Sequence, residues 1–170
     1  LDMVRDNYQT IFRVSSFTST NNDYRYQSYF TRTKWEHSVV LLTKFYDKYY
    51  DEEQIVPSGR IPGPNLVRLP YILAESVYDR DPAAALEYLN TVVTARGLHP
   101  IEAADIATPA SFREELLNEI MKEFWGEGQI FATYKRFNLP MEGVNGKEHP
   151  ATDDTYLLPL PESEESAGID

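Results

Sequence analysis

The chain has no cysteine among its 170 residues, which excludes disulfide bonds, thiolate metal sites and cysteine nucleophiles. It also has no run of about 18 apolar residues, the length that a membrane-spanning helix requires. Basic residues are scarce, since 16 Lys and Arg stand against 27 Asp and Glu, and the net charge is −11. Because phosphate binding needs clustered Lys and Arg, we expect no nucleic-acid partner.

Signatures of catalysis are missing as well. The sequence contains no nucleophile elbow, no phosphate-binding loop and no zinc-binding histidine pair. Its three histidines, His37, His99 and His149, lie outside the predicted helices, and no Glu-x-x-His motif accompanies the glutamates. We therefore expect no enzymatic activity, no catalytic residue, no cofactor and no bound metal.

The composition is that of a globular domain, with 42% hydrophobic and 13% aromatic residues. We predict one mainly α-helical region built from three segments: an aromatic, loop-rich part over 1–57, a helical core over 65–138 and an acidic extended tail over 139–170. The tail is distinct in charge, because residues 141–170 hold eight acidic residues and one basic residue. Since Leu1 is not an initiator methionine, we expect a processed or trimmed fragment.

A helical hairpin is predicted at the start of the core. One helical face collects the apolar residues Leu66, Leu69, Leu73 and Val77. Asp81 and Pro82 are typical of a helix N-terminus, and Gly97 is typical of a left-handed C-terminus. The second helix is predicted to bury Leu86, Leu89 and Val93. The pair resembles a tetratricopeptide hairpin in length.

A single long helix of about 40 Å is predicted to follow, from the N-cap Thr108 to Asn138. It carries a glutamate at every fourth position, which places four carboxylates on one face: Glu115, Glu119, Glu123 and Glu127. Gly126 and Gly128 fall inside this pattern, and each is expected to destabilise the helix by about 1 kcal/mol relative to alanine. A second backbone packed closely against the helix would offset this cost. We interpret the acidic face as structural and ion-paired, with candidate cations Arg68, Arg96, Arg113 and Arg136.

Residues 15–38 are rich in Ser, Thr and Asn with interleaved aromatics, which predicts a long loop or an irregular pair of short strands, followed by a possible strand from Val39. Aromatic rings can stack on the apolar face of a sugar while polar groups bind its hydroxyls. The candidate ligand-binding residues are Tyr24, Tyr26, Tyr29, Trp35, Asn21 and Asn22. For any one aromatic, packing in the core remains the alternative, and Asp23 and Arg25 are interpreted as a structural pair.

The order of several motifs resembles the C-terminal region of the SusD/RagB family. The hairpin supplies Arg68, Glu75, Asn90 and an Arg96-Gly97-Leu98 closing segment, and the acidic helix supplies Glu123-Phe124, Glu127-Gly128 and Lys135-Arg136. Upstream, Asp23 and Arg25 are similar to the family's Asp-x-Arg element, and Leu158-Pro159-Leu160-Pro161 is similar to its ending. Pro70-Tyr71-Ile72-Leu73 departs from the pattern by lacking one acidic residue. The matched motif residues are interpreted as structural: Asp23, Arg25, Arg68, Glu75, Asn90, Arg96, Glu123, Glu127 and Arg136.

This resemblance implies a SusD-like superhelix of helix pairs and a part in nutrient uptake. The family captures oligosaccharides at the outer-membrane surface of Bacteroidetes and delivers them to a TonB-dependent transporter of the SusC type. It implies that the chain contacts the membrane only through a lipid anchor outside this sequence. A helical-repeat scaffold that binds a protein or peptide is the alternative, and it would present an exposed apolar groove along residues 66–96.

Overall fold

The computed structural model describes residues 11–13, 23–32, 40–47, 56–57, 66–143 and 146–157. The predicted mainly helical class is confirmed. The helices are α1 (Tyr24–Tyr29), α2 (Arg68–Val77), α3 (Pro82–Ala95), α4 (Pro109–Glu123), α5 (Gln129–Phe137) and α6 (Asp153–Tyr156). Two compact units are formed by residues 1–127 and 128–170. Much of the predicted loop-rich segment over 1–57 and the closing motif at 158–161 lie outside the described residues.

Short antiparallel ladders complete the described structure. β1 (Phe30–Arg32) pairs with β2 (Val40–Leu42), and β3 (Tyr46–Asp47) pairs with β4 (Val56–Pro57). In the second unit β5 (Met141–Glu142) pairs with β6 (Glu148–His149), within the predicted extended tail. The strand predicted from Val39 is present as β2.

The aromatic segment is helical where a loop or strands were predicted, so that prediction is wrong for residues 24–29. The reason is local, because the Asp23 side chain accepts a hydrogen bond from the Arg25 backbone N–H and caps the first turn of α1. Phe30 then enters β1 opposite Leu42. The rings of Tyr26 and Phe30 join Phe12 in a buried aromatic cluster.

The hairpin of α2 and α3 has the predicted ends. The Asp81 carboxylate accepts from the Ala84 N–H at 3.0 Å, and Pro82 occupies the first turn of α3. Gly97 takes a left-handed φ of 82°, which glycine adopts without steric cost. Leu89 and Val93 are buried as predicted, while Leu86 is only half-buried.

The face of α2 that is buried is not the leucine face. Tyr71, Ala74 and Tyr78 are buried, while Leu66 is 79% exposed and Leu69 is 52% exposed. Aromatic packing accounts for this choice, since the Tyr78 ring stacks on Phe112 with centroids 3.8 Å apart and Tyr71 meets Phe124 edge-on at 6.0 Å. The apolar surface formed by Leu66, Leu69, Ile72 and Leu73, hereafter the leucine face, therefore remains exposed.

Asn90 fastens the segment after α3 to the helix. Its side-chain amide donates to the Ile101 carbonyl at 3.0 Å and accepts from the Ile101 N–H at 2.7 Å. Both backbone groups of Ile101 are thus satisfied by one half-buried side chain. The segment that leads to α4 is fixed in position by this pair of bonds.

Replacing Asn90 by alanine is expected to destabilise the fold by about 1–3 kcal/mol, because two backbone polar groups lose their partner. The midpoint of urea unfolding measures the change. Thr91→Ala on the exposed side of the same helix turn serves as the control and should stay within about 0.5 kcal/mol of the parent. Equal effects of the two substitutions would contradict the role assigned to Asn90.

The prediction of a single long helix over 108–138 is wrong. Thr108 caps α4 as expected, in a capping box with Ser111, but α4 ends at Glu123 and α5 begins at Gln129. Gly126 and Gly128 separate the two helices with φ of 77° and 74°. At Gly126 the close neighbours are the side chains of Leu42 and Phe45, not the backbone that the sequence led us to expect.

The second unit contains α5, the β5–β6 hairpin and α6. Asn138 ends α5 in the left-handed conformation at φ 52°, at the predicted position. The Lys135 ammonium donates to the Tyr156 carbonyl at 2.9 Å, and the Tyr156 ring meets Phe131 edge-on. Thr155 and Tyr156, predicted to be extended, lie in α6. Among the described residues of the whole chain, no helix is both long enough and apolar enough to cross a bilayer.

Candidate functional site

A buried ion cluster forms where α1 faces α4. We use this name for Asp23, Arg25, Arg96, Glu119, Lys122 and Glu123. The Arg25 guanidinium lies at its centre, with its side chain only 1% exposed. It donates to both oxygens of Asp23, at 2.9 and 2.8 Å, and to Glu119 at 2.9 Å. Planar guanidinium binds carboxylates in this two-pronged way, which fixes orientation as well as charge.

The Glu123 carboxylate accepts hydrogen bonds from two arginines. Arg96 donates from Nε at 3.0 Å and from Nη2 at 2.7 Å, and Arg25 Nη1 lies 3.4 Å from the same carboxylate. The hydrogen bond with Glu123 raises the pKa of Arg96. Burial alone would lower the pKa of Arg25, but the hydrogen bond with Asp23 and the charges of Glu119 and Asp23 raise it above its usual range. Both cations therefore stay charged under all ordinary conditions.

Every glutamate of the acidic face has a cation. Besides the pairs at Glu123, Lys122 lies 2.6 Å from Glu119, Lys44 lies 2.5 Å from Glu127, and Arg13 lies 2.8 Å from Glu115. Arg96 was among the cations named from the sequence, whereas Arg25, Lys44 and Arg13 were not. Carboxylates paired in this way have their charge balanced by protein. Within the described ranges no group of His, Cys, Asp or Glu is arranged to hold a metal ion.

A tyrosine hydroxyl is buried next to the cluster. Tyr71 is 1% exposed, and its hydroxyl has no hydrogen-bond partner among the described residues. Burial raises the pKa of Tyr71, and the charge of Glu119 raises it further. The phenol is consequently held neutral.

The candidate ligand-binding tyrosines fall in three different environments. Tyr24 is 64% exposed, Tyr29 is half-buried and Tyr26 is 2% exposed in the aromatic cluster with Phe12. The Tyr29 hydroxyl donates to Glu123 at 3.4 Å, and Lys44 lies 4.5 Å from its ring centre. Burial and the charge of Glu123 raise the pKa of Tyr29 to about 12. Trp35, Asn21 and Asn22 lie outside the described residues.

Tyr24 is exposed but its backbone is anchored. Its N–H donates to the Arg96 carbonyl at 2.9 Å, and the preceding residue, Asp23, is held by Arg25. The ring thus projects from a backbone fixed to the end of α3. An exposed aromatic ring can pack against the apolar face of another molecule.

The other motif residues lie in varied places. Arg68 is exposed on α2, Glu75 is half-buried on the same helix, and Asn90 fastens Ile101 as described above. Arg136 is exposed on α5 with its guanidinium 4.7 Å from the Phe137 ring. Their assignment as structural residues stays a prediction.

A cavity of about 370 Å³ lies beside the ion cluster, and we call it the side cavity. Its charged lining residues include Glu115, Glu119 and Lys122, which share one face of α4. Its apolar lining residues include Val93 and Leu98. Sequence reasoning missed this cavity, because its walls come from segments that only the fold brings together.

The model of the SusD family matches residues 71–166, more than half of the chain. The chain belongs to the SusD family. Comparisons with curated proteins and with solved structures give no significant match. The matched range includes Arg96, Glu119 and Glu123 but begins after Asp23, Tyr24 and Arg25.

Proposed function

We propose that this protein binds oligosaccharides at the cell surface as part of a nutrient-uptake system. Membership of the SusD family supports a role in glycan binding. The single observation that carries the proposal is the Tyr24 ring, which is 64% exposed while its backbone N–H is bonded to the Arg96 carbonyl. An exposed ring on an anchored backbone offers a flat apolar surface to a sugar, and its backbone does not have to be ordered at the time of binding.

The binding would involve no covalent step. The apolar C–H face of a sugar packs on the aromatic ring, and neighbouring polar groups bind the hydroxyls at its rim. Half-buried Tyr29 lies at the other end of the same helix, α1, and its hydroxyl is committed to Glu123. We therefore assign Tyr24 to ligand contact and Tyr26 to the core, and Tyr29, which packs against that core, to the support of the helix.

Replacing Tyr24 by alanine is expected to weaken glycan binding by about 3–10-fold, because one stacking surface is lost. Isothermal titration of the protein against a panel of neutral oligosaccharides measures the change. Tyr88→Ala, which removes a half-buried tyrosine of α3, is the matched control and should leave the affinity unchanged. Unaltered affinity in the Tyr24 variant, or the absence of any glycan binding by the parent, would refute the proposal.

The proposal extends to a partner and a location. A lipid-anchored protein on the outer-membrane surface would transfer its glycan to a TonB-dependent transporter of the SusC type, as family membership suggests. Two measurements test this extension: incorporation of labelled fatty acid into the protein in cells, and co-purification with a TonB-dependent transporter. Negative results in both measurements would refute the proposed surface complex without bearing on glycan binding.

A second candidate function is a scaffold that binds a protein or peptide. The observation that favours it is the leucine face, whose members are between 40% and 79% exposed along α2. Exposed, contiguous apolar side chains of this kind often mark interaction surfaces. Leu69→Ser combined with Leu73→Ser would abolish peptide binding and spare glycan binding if the scaffold function is real.

A further inference from the structure

The leucine face lies on the side of α2 that turns away from α4. The opposite side of α2 is buried, since Tyr78 stacks on Phe112 and Tyr71 meets Phe124 edge-on. The four members of the leucine face are between 40% and 79% exposed and lie within two turns of one another. Contiguous exposed aliphatic side chains of this kind mark a surface that another molecule covers.

The two ends of α2 carry opposite charges. Arg68 is the first residue of the helix. Asp79 lies just past its end, where the helical turn continues because the Tyr78 N–H donates to the Ala74 carbonyl. Arg68 and Asp79 are both exposed, and neither side chain has an ion-pair partner among the described residues. Both charges are therefore available to a molecule that covers the leucine face.

This placement of charge is the reverse of the one that an isolated helix favours. The helix macrodipole is positive at the N-terminus and negative at the C-terminus, so it disfavours a cation at Arg68 and an anion at Asp79. Arg80 does not cancel the negative end, because it stands between the carboxylates of Asp79 and Asp81, which leaves a net charge of −1. A second helix in the antiparallel direction would bring an acidic end beside Arg68 and a basic end beside Asp79.

A second copy of α2 meets this requirement. Arg68 and Asp79 are eleven positions apart, close to three helical turns, so both lie on the same flank of the leucine face. A twofold axis through Ile72 packs Leu69, Ile72 and Leu73 of one copy on the same residues of the other. It also leaves Arg68 of each copy only about 4.5 Å along the helix axis from Asp79 of the other, because the two residues lie four and seven positions from Ile72.

The remaining offset is closed by the direction of the side chains. Side chains on a helix tilt toward its N-terminus, so in an antiparallel pair the Arg68 side chain and the Asp79 side chain of the other copy lean toward each other. A parallel pair would instead set Arg68 against Arg68. The surface is thus complementary to itself in one orientation, as a twofold interface requires.

We propose that the leucine face is the interface between two copies of this protein, packed antiparallel through α2. This inference does not depend on glycan binding, and it names one occupant for a surface that a peptide would otherwise cover. The area is small, because only one helix of each copy contributes to it. We expect a dissociation constant on the order of 10–100 μM.

Sedimentation velocity over concentrations from about 5 to 500 μM tests the association. The parent should shift from monomer toward dimer, and Leu69→Lys should weaken the association at least about tenfold, because it places a charge in the apolar contact. Leu157→Lys is the matched control, since Leu157 is a leucine of the second unit with 55% exposure against 52% for Leu69. A parent that stays monomeric, or equal association of the two variants, would overturn the proposal. Loss of peptide binding by a monomeric Leu69→Ser, Leu73→Ser variant would assign the face to a scaffold instead.

Mixing two charge variants tests the pairing of Arg68 with Asp79. Arg68→Glu and Asp79→Arg should each associate with themselves about 5–10-fold more weakly than the parent, because like charges then face each other. An equimolar mixture of the two should recover the parent's affinity, because each mixed dimer contains two pairs of opposite charge. A mixture that associates no better than the single variants would refute the antiparallel pairing.

The lack of native cysteine allows a direct test of the register. Ile72→Cys places one thiol at the twofold axis, and its two copies should form a disulfide on oxidation. Leu66→Cys is the control, because its two copies lie roughly 18 Å apart in this arrangement, too far for a disulfide. Cross-linking of the Leu66 variant, or none of the Ile72 variant, would contradict the register. Tyr24→Ala should leave the association unchanged, so failure of the dimer and failure of the glycan surface are distinguishable.

Discussion

Replacing Arg25 by methionine is expected to destabilise the first unit by about 3–5 kcal/mol, because the buried ion cluster loses its central cation. Arg25 is buried and contacts three carboxylates, so its removal leaves Asp23 and Glu119 without their shared cation. Lys122 still pairs with Glu119, but the described ion pairs of Asp23 are made with Arg25. The cost is that of buried carboxylates that have lost a cation, not the net value of the salt bridge.

Chemical unfolding followed by circular dichroism measures the Arg25 effect. Arg13→Met is the matched control, because it removes an arginine that pairs with another glutamate of the same acidic face, and its side chain is 69% exposed. An exposed pair contributes only about 0–1 kcal/mol, so the control should lie close to the parent. Comparable losses in the two variants would show that burial of the ion cluster has little energetic consequence.

Replacing Gly126 by alanine is expected to destabilise the protein by about 2–5 kcal/mol, from two sources. The backbone at φ 77° is left-handed, which costs a residue with a Cβ about 1–2 kcal/mol. The added Cβ would also lie 2.7 Å from Leu42 Cδ2 and 3.2 Å from the Phe45 ring, so these side chains must move, at about 1–3 kcal/mol. Thermal unfolding provides the measurement.

Gly128 isolates the backbone contribution. Its φ of 74° is nearly the same, but among the described residues, its chain neighbours aside, no atom lies within 4 Å of the position that a Cβ would occupy. Gly128→Ala should therefore cost only about 1–2 kcal/mol. If the two alanine variants were equally stable, the contact of Gly126 with Leu42 and Phe45 would have no energetic role.

The ends of the helices were predictable because their causes are local. Asp81, Thr108, Gly97 and Asn138 each act within a few residues of the chain, through a side-chain cap or a left-handed turn. Placing them in the sequence requires no knowledge of the fold.

The break between α4 and α5 could not be found in this way. The glutamate spacing continues through Glu127, so periodicity alone favours one helix across Gly126. What decides the break is a contact with Leu42 and Phe45, about 80 residues earlier in the chain. The sequence shows that glycine is unfavourable inside a helix. It does not show whether Gly126 lies in a helix or in a turn.

The sequence of α2 contains two sets of residues that could form its buried face. Leu66, Leu69 and Leu73 repeat with helical spacing, and so do Tyr71, Ala74 and Tyr78. Hydrophobicity favours the first set, whereas the structure buries the second because Phe112 and Phe124 offer ring partners. The choice depends on α4, which the sequence of α2 does not contain.

The sequence predicted that the acidic face is ion-paired, but it identified only some of the residues that pair with it. The acidic face was expected to be ion-paired, and Arg96 was among the named cations. Arg25 was recognised only as the partner of Asp23, because its bonds to Glu119 and Glu123 join parts of the chain that no periodicity connects. Tyr24 and Tyr26 look alike in sequence, and the turn of α1 alone places one at the surface and the other in the core.

The bonds of Arg25 to Glu119 and Glu123 span 94 and 98 positions of the chain. Contacts between α2 and α3, by contrast, join neighbours in sequence. Closing a long loop has a large entropic cost, so the helical hairpin should assemble early and the arginine should arrive late. Until then the two carboxylates remain hydrated, and the final dehydration of this charged junction would set the pace at which the protein reaches its native state.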